Sequence, residues 1–150
     1  SGNDETRLLA MLQNAAFLPM FREAMQGRGG VRDVTIDALQ PTANKSDAKP
    51  TADEVFALLG SDRDGAANLA LAYLQSANSA QELIDVARLT TFFKGNNAHD
   101  YKFSSAVLED YYQVSPTFRD KFLASNLYQL RSTQEKDNQL VQRTRAALTS

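Results

Sequence analysis

TADEVFALLGSDRDGAANLALAYL, running from Thr51 to Leu74, is the stretch whose reading decides the fold. Thr51 and Glu54 stand at capping-box spacing: the hydroxyl accepts a first-turn N–H, and the carboxylate reaches back to the threonine amide. Val55, Phe56, Leu58 and Leu59 then recur at helical spacing, and Gly60 ends the run. Asp62 to Gly65 opens a second helix, which carries Leu69, Leu71, Ala72, Tyr73 and Leu74. Asp62-Arg63-Asp64-Gly65 also looks like the start of a calcium loop. Its glycine comes too early, however, and no Glu closes the loop. It is a helix N-terminus, where the helix dipole favours acids.

The same punctuation continues towards the C-terminus. Ser79-Ala80-Gln81-Glu82 is a second capping box, ahead of Leu83, Ile84, Val86, Ala87, Leu89, Phe92 and Phe93, with a stop at Gly95. A helix is expected from about Asp100 to Gln113. Ser115-Pro116 sets an N-cap residue before a proline at the first helical position. The helix it opens carries Phe118, Phe122, Leu123, Leu127, Tyr128 and Leu130. Ser132-Thr133-Gln134-Glu135 is a third capping box and predicts the last helix, with Leu140, Val141, Ala146, Ala147 and Leu148.

On the N-terminal side, a helix from Asn3 or Asp4 carries Leu8, Leu9, Leu12, Ala15 and Ala16. Pro19 is expected to kink or break it. A short second helix with Met20, Phe21, Ala24 and Met25 then runs to Gly27. Val31, Val34 and Ile36 could form an extended piece or a turn of helix, and the polar stretch from Gln40 to Pro50 reads as a linker. The expected organisation is an N-terminal helical arm over 1–27, a flexible linker over 28–50 and a helical core domain over 51–150. The fold class is all-α, an irregular bundle of six or seven helices. Helices near 65, 80, 100 and 116 pair into two short-looped hairpins about 35 residues apart, a period found in helical repeats. The tetratricopeptide signature does not fit either hairpin.

Composition narrows the function classes. The 150 residues are 43% hydrophobic and 23% charged, enough for one core without a disulfide or structural metal. There is no Cys, which excludes thiol catalysis and zinc ribbons and fits a reducing, cytoplasmic setting. The net charge of −2 argues against general binding to nucleic acid or anionic membrane. No apolar run approaches the roughly 20 residues that span a bilayer. Ser1-Gly2-Asn3 begins without Met and reads as a cloning scar or a cut end. No phosphate loop, nucleophile elbow or dinucleotide fingerprint is present, and no cofactor is implied.

One dense polar segment stands out, from Lys94 through the loop Gly95-Asn96-Asn97-Ala98 to Tyr112. It holds the single His of the chain. If a helix begins at Asp100, then His99, Lys102, Glu109 and Asp110 lie roughly on one side, with Tyr101, Leu108 and Tyr112 on another. A His beside a Lys and carboxylates suits acid–base chemistry near neutral pH. The candidate catalytic or binding residues are therefore His99, Asp100, Lys102, Glu109 and Tyr112. The plainer reading makes His99 and Asp100 helix caps and the rest polar pairing. A metal site would need more ligands than one His with Glu109 and Asp110 provides. The aromatics from Phe92 to Tyr128 keep helical spacing and are expected to form core. Arg119, Lys121, Arg131, Arg143 and Arg145 alternate with acids and are expected to form a solvated face.

The block His99-Asp100-Tyr101-Lys102-Phe103-Ser104-Ser105-Ala106-Val107-Leu108-Glu109-Asp110, followed by Val114-Ser115-Pro116 and Arg119-Asp120-Lys121-Phe122-Leu123-Ala124, resembles the C-terminal region of an uncharacterised bacterial protein family. The resemblance spans residues 80 to 148 and implies no activity. His99 and Lys102 at the head of a helix also resemble a late feature of questin oxidase-like proteins, which are large helical oxygenases. Two functions are thus expected in parallel. One is a protein-interaction or structural domain, with a protein partner, no nucleic acid and no membrane. The other is a small-molecule-binding or oxidoreductase-like enzyme domain centred on His99.

Overall fold

The computed structural model describes residues 3–28, 35–42, 49–76 and 79–149. The chain divides into two units, Ser1–Val34 and Thr35–Ser150. The described residues form seven α-helices and two 3-10 turns, without a strand, in agreement with the all-α expectation.

The first unit is one helix, α1 (Asp4–Gly27). Asn3 caps it, its Oδ1 accepting the Thr6 amide at 2.9 Å. The expected break at Pro19 does not occur, and the segment expected to be a second helix continues the first. A proline removes one hydrogen bond, here the one the Ala15 carbonyl would receive. α1 buries no residue, so that carbonyl is not shut into an apolar interior, and good helix formers on both sides carry the helix through.

The second unit starts with a 3-10 turn at Ile36–Ala38. Val31 and Val34 lie outside the described residues, as do 43–48 of the polar stretch. Between those gaps the chain is tied down. Leu39 is buried, and the Gln40 and Thr42 amides donate to the Asn68 side chain and carbonyl at 3.0 and 3.3 Å. The Thr51 capping box forms as expected and opens α2 (Ala52–Leu58). Asp62 caps α3 (Arg63–Gln75) by accepting the Gly65 amide at 2.8 Å. A Cβ on Gly65 would sit 2.3 Å from the Asp62 carboxylate, so glycine there makes room for the cap.

α4 (Ala80–Lys94) begins at Ser79, but its capping box is incomplete. Ser79 accepts the Gln81 amide, while Glu82 turns away to accept the Tyr73 hydroxyl at 2.8 Å. α5 (Ala98–Asp110) starts two residues earlier than expected, because Asn97 rather than His99 or Asp100 is the cap. α6 (Pro116–Asn126) starts at the expected proline, but the Ser115 side chain makes no capping hydrogen bond, and the helix ends in the 3-10 turn Leu127–Gln129. α7 (Gln139–Leu148) begins at Asn138, not at Ser132. The Ser132 hydroxyl donates instead to the Phe56 carbonyl at 2.8 Å, and the Thr133 amide meets the same oxygen at 3.3 Å. That tether to α2 holds the segment as a turn, although the Ser132 amide still donates to Glu135.

α3 runs through the middle of the core. Ala66, Ala67, Leu69, Ala70, Leu71, Tyr73 and Leu74 are all buried along it. Its main packing partners are α2 and α6, and α4 packs on α5 and α2. The expected hairpins of α3 with α4 and of α5 with α6 are therefore not the principal pairs. The reason lies in small side chains: Ala66, Ala67, Ala70 and Ala124 are fully buried, and alanine lets helix axes approach closely. Val55, Phe56, Leu59, Leu83, Ile84, Leu108, Leu123 and Leu127 complete the core around them.

Candidate functional site

The polar segment singled out by sequence is assembled around Asp100. Its Oδ2 accepts the Asn96 amide at 2.8 Å and the Arg131 guanidinium at 2.8 Å. Arg131 reaches Glu135 with its other arm at 3.0 Å. Burial alone would raise the Asp100 pKa. The Arg131 bond, with the Asn96 and Asn97 amides, outweighs it and holds the carboxyl below the usual range. The same Asp100 bond raises the Arg131 pKa further. The trio ties the start of α5 to the turn that follows α6.

The other candidates do not converge on Asp100. His99 and Lys102 are exposed on the first turns of α5. Tyr112 donates to Gln81 Oε1 on α4 at 2.5 Å, and Gln81 in turn donates to Asp85. Glu109 accepts a long hydrogen bond of 3.3 Å from Ser105. Of the five, Glu109 alone lines any of the three clefts described next. Among the described residues no group of three or more His, Asp or Glu is placed to hold a metal ion.

The concave surface lies beside this segment, where α4, α5 and α7 meet. One cleft of about 460 Å³ is lined by Phe92, Phe93, Tyr101, Leu140, Val141 and Arg145, among others. A second of about 210 Å³ shares Phe92 and Tyr101 and extends to Ser105, Leu108 and Glu109. A third of about 510 Å³ shares Tyr101, Asn138 and Leu140 and reaches Gly95. Phe92 (61% exposed), Leu140 (68%) and Tyr101 (44%) form a shared apolar ridge among the three. Sequence spacing placed Phe92 and Tyr101 in the core; they border solvent because α4 and α5 turn other faces inward.

Asn138 shapes this surface, and sequence reading missed it. Its side-chain amide donates to the Phe92 carbonyl at 2.8 Å and its backbone amide to Phe93 at 2.7 Å. Its Oδ1 accepts the Val141 amide at 3.0 Å and so caps α7. One residue therefore binds two carbonyls in the last turn of α4 and starts α7. The signal was present, since an Asn precedes the apolar Leu140-Val141 pair, but the Ser132 box competed for the same helix. Arg145, which lines the cleft, shares Asp137 with Lys94, at 3.3 and 2.7 Å respectively. The Lys94 bond, with Arg145, holds the Asp137 carboxyl low. Arg145 also lies 5.7 Å over the Phe93 ring.

Tyr101 closes the end of the surface at Gly95, its hydroxyl donating to the Gly95 carbonyl at 2.9 Å. A Cβ on Gly95 would come within 2.6 Å of the Thr91 carbonyl oxygen and 3.1 Å of the Tyr101 ring, so only glycine permits that approach. The basic residues near the C-terminus are mostly used internally. Arg119 donates to the Val114 and Tyr112 carbonyls, and Lys121 pairs with Asp37. No described helix is long and apolar enough to cross a membrane.

Comparison with protein-family models, curated proteins and solved structures returns no match. The resemblances drawn from the His99–Asp110 block stand on the sequence alone.

Proposed function

We propose that the C-terminal unit is a protein-interaction domain, and that the apolar surface between α4, α5 and α7 is where it docks another protein chain. The observation that carries this reading is the ridge of Phe92, Tyr101 and Leu140. Three large apolar side chains stay in water beside clefts deep enough to take side chains of a partner. Monomeric proteins seldom leave such patches uncovered, and aromatic anchors beside clefts are typical of binding surfaces. The partner this surface fits is a protein segment presenting two or three apolar side chains at helical or extended spacing. The cysteine-free sequence fits a reducing compartment, so the cytoplasm is the setting proposed.

The geometry gives less to an enzyme centred on His99. Asp100 is committed to Arg131, and His99, Lys102 and Tyr112 border none of the three clefts. Selection of binders from a displayed peptide library on the folded chain tests the proposal. Selected peptides should lose at least about tenfold in affinity on Phe92→Asp and keep it on His99→Ala. Binders that ignore Phe92→Asp would overturn it.

A further inference from the structure

α1 (Asp4–Gly27) leaves its large apolar side chains in water: Leu8 is 56% exposed, Met11 69% and Leu18 63%. From Leu8 to Phe21 there is no charged residue. That run measures about 20 Å at helical rise, short of the hydrocarbon core of about 30 Å. A helix apolar on several sides is one that packs against others. The question is which face packs, and against what.

Asp4, Leu8, Met11, Ala15, Leu18 and Arg22 follow the alternating four- and three-residue spacing of a coiled-coil seam. This seam is complementary to itself. Turned about a two-fold axis at residue 13, it sets Leu8 opposite Leu18, Met11 opposite the small Ala15, and Asp4 opposite Arg22. Every such contact occurs twice, as an isologous interface requires. The neighbouring seam fails the same operation, since it sets Glu5 opposite Glu23 and Leu9 opposite Pro19. A third face carries the polar Thr6 and Gln13. Parallel pairing of the first seam would oppose Asp4 to Asp4 and Arg22 to Arg22. Charge therefore selects one seam and one direction. Within the single chain Asp4 approaches Arg7 at 3.8 Å, but both side chains are open to water, so that contact competes weakly.

We propose that α1 pairs antiparallel with α1 of a second copy through this seam, making the chain a two-fold dimer. The proposal is independent of the surface between α4, α5 and α7. Opposite charges at both ends fix the register, and the Leu8·Leu18 and Met11·Ala15 layers supply the apolar contact. Antiparallel packing also sets each helix dipole against its partner's.

Sedimentation of the full chain tests it. The expected result is a dimer at about 100 μM. Asp4→Arg alone or Arg22→Asp alone should weaken the dimer by about tenfold or more, because each turns two attractions into two repulsions. Mixing the two variants should restore dimerisation, since Arg then faces Asp at every end. The chain has no native Cys, so orientation can be read by cross-linking. Met11→Cys mixed with Ala15→Cys should give mixed disulfide dimers in preference to either homodimer. A monomeric wild type overturns the proposal, whether the chain stays free or instead co-sediments with lipid vesicles. Charge variants as dimeric as the wild type, or homodimeric cross-links, overturn it equally. The substituted positions lie on an exposed helix outside the core, and unchanged helical circular dichroism confirms that the variants fold.

Discussion

Arg131 lies 2.8 Å from Asp100, across 31 residues of sequence, and it holds Glu135 at 3.0 Å with its other arm. This pair makes the polar segment around Asp100 a clamp between the α5 start and the turn before α7. Asp100, which sequence spacing offers as a catalytic carboxylate, is engaged by the Arg131 guanidinium and the Asn96 amide.

Removing one partner of the clamp leaves the other partly buried without its counter-charge. Arg131→Met should cost about 1–3 kcal/mol, less than for a fully buried pair because the side chains are 28% and 13% exposed. Urea denaturation measures it. The pH dependence follows from the lowered Asp100 pKa. The native state binds fewer protons than the unfolded one between the folded value and the ordinary value of about 3.9. The clamp's stabilisation is therefore whole above that ordinary value and is lost as pH falls through the folded one. Asp100→Asn should flatten this part of the acid limb.

Asn138 joins α4 to α7 through three hydrogen bonds, two from its side chain and one from its backbone amide. Asn138→Ala should destabilise by about 1–3 kcal/mol, through the lost cap and an unpaired Phe92 carbonyl. Amide exchange should accelerate first in α7. Equal acceleration in α3 would mean that α7 unfolds only with the whole unit.

Tyr73 is buried, and burial together with the Glu82 carboxylate pushes its pKa up to about 12. Titration followed by phenolate absorbance should show a late step near pH 12. Tyr73→Phe should remove the late step. Because the unfolded tyrosine gives up its proton near 10, stability should fall as pH rises from about 10 towards 12.

Gly65→Ala brings a Cβ to 2.3 Å from the Asp62 carboxylate and should displace the α3 cap. The expected loss is about 1–2 kcal/mol, the worth of a good N-cap, in thermal or urea melts. Asp62→Ala should cost a similar amount, and the two losses should not add, since both remove one hydrogen bond.

Much of this architecture was legible because its signals are local. The Thr51 box, the helix start at Asp62 to Gly65 and the start at Pro116 each need only their own turn of chain, and each forms, although the Ser115 side chain makes no capping hydrogen bond. The break expected at Pro19 does not occur because its cost is one hydrogen bond in a helix that buries no residue. The Ser132 box was misread for the opposite reason: its hydroxyl is captured by Phe56, 76 residues away. Helix pairing follows the small residues of α3, and periodicity within a helix does not rank its neighbours. At the polar segment, sequence spacing singles out Asp100, but its partner Arg131, and Asn138 beside the clefts, come from distant parts of the chain. The first engages Asp100, and the second holds the α4 end beside the clefts at Phe92 and Tyr101.

The most direct measurement of the central claim is a backbone-amide NMR titration of the folded chain with the tightest selected peptide. The account predicts that shift changes centre on Phe92, Tyr101, Leu140 and Val141, and that Phe92→Asp abolishes them. Changes centred on His99 and Lys102 and untouched by Phe92→Asp would contradict it and move the functional surface to the head of α5.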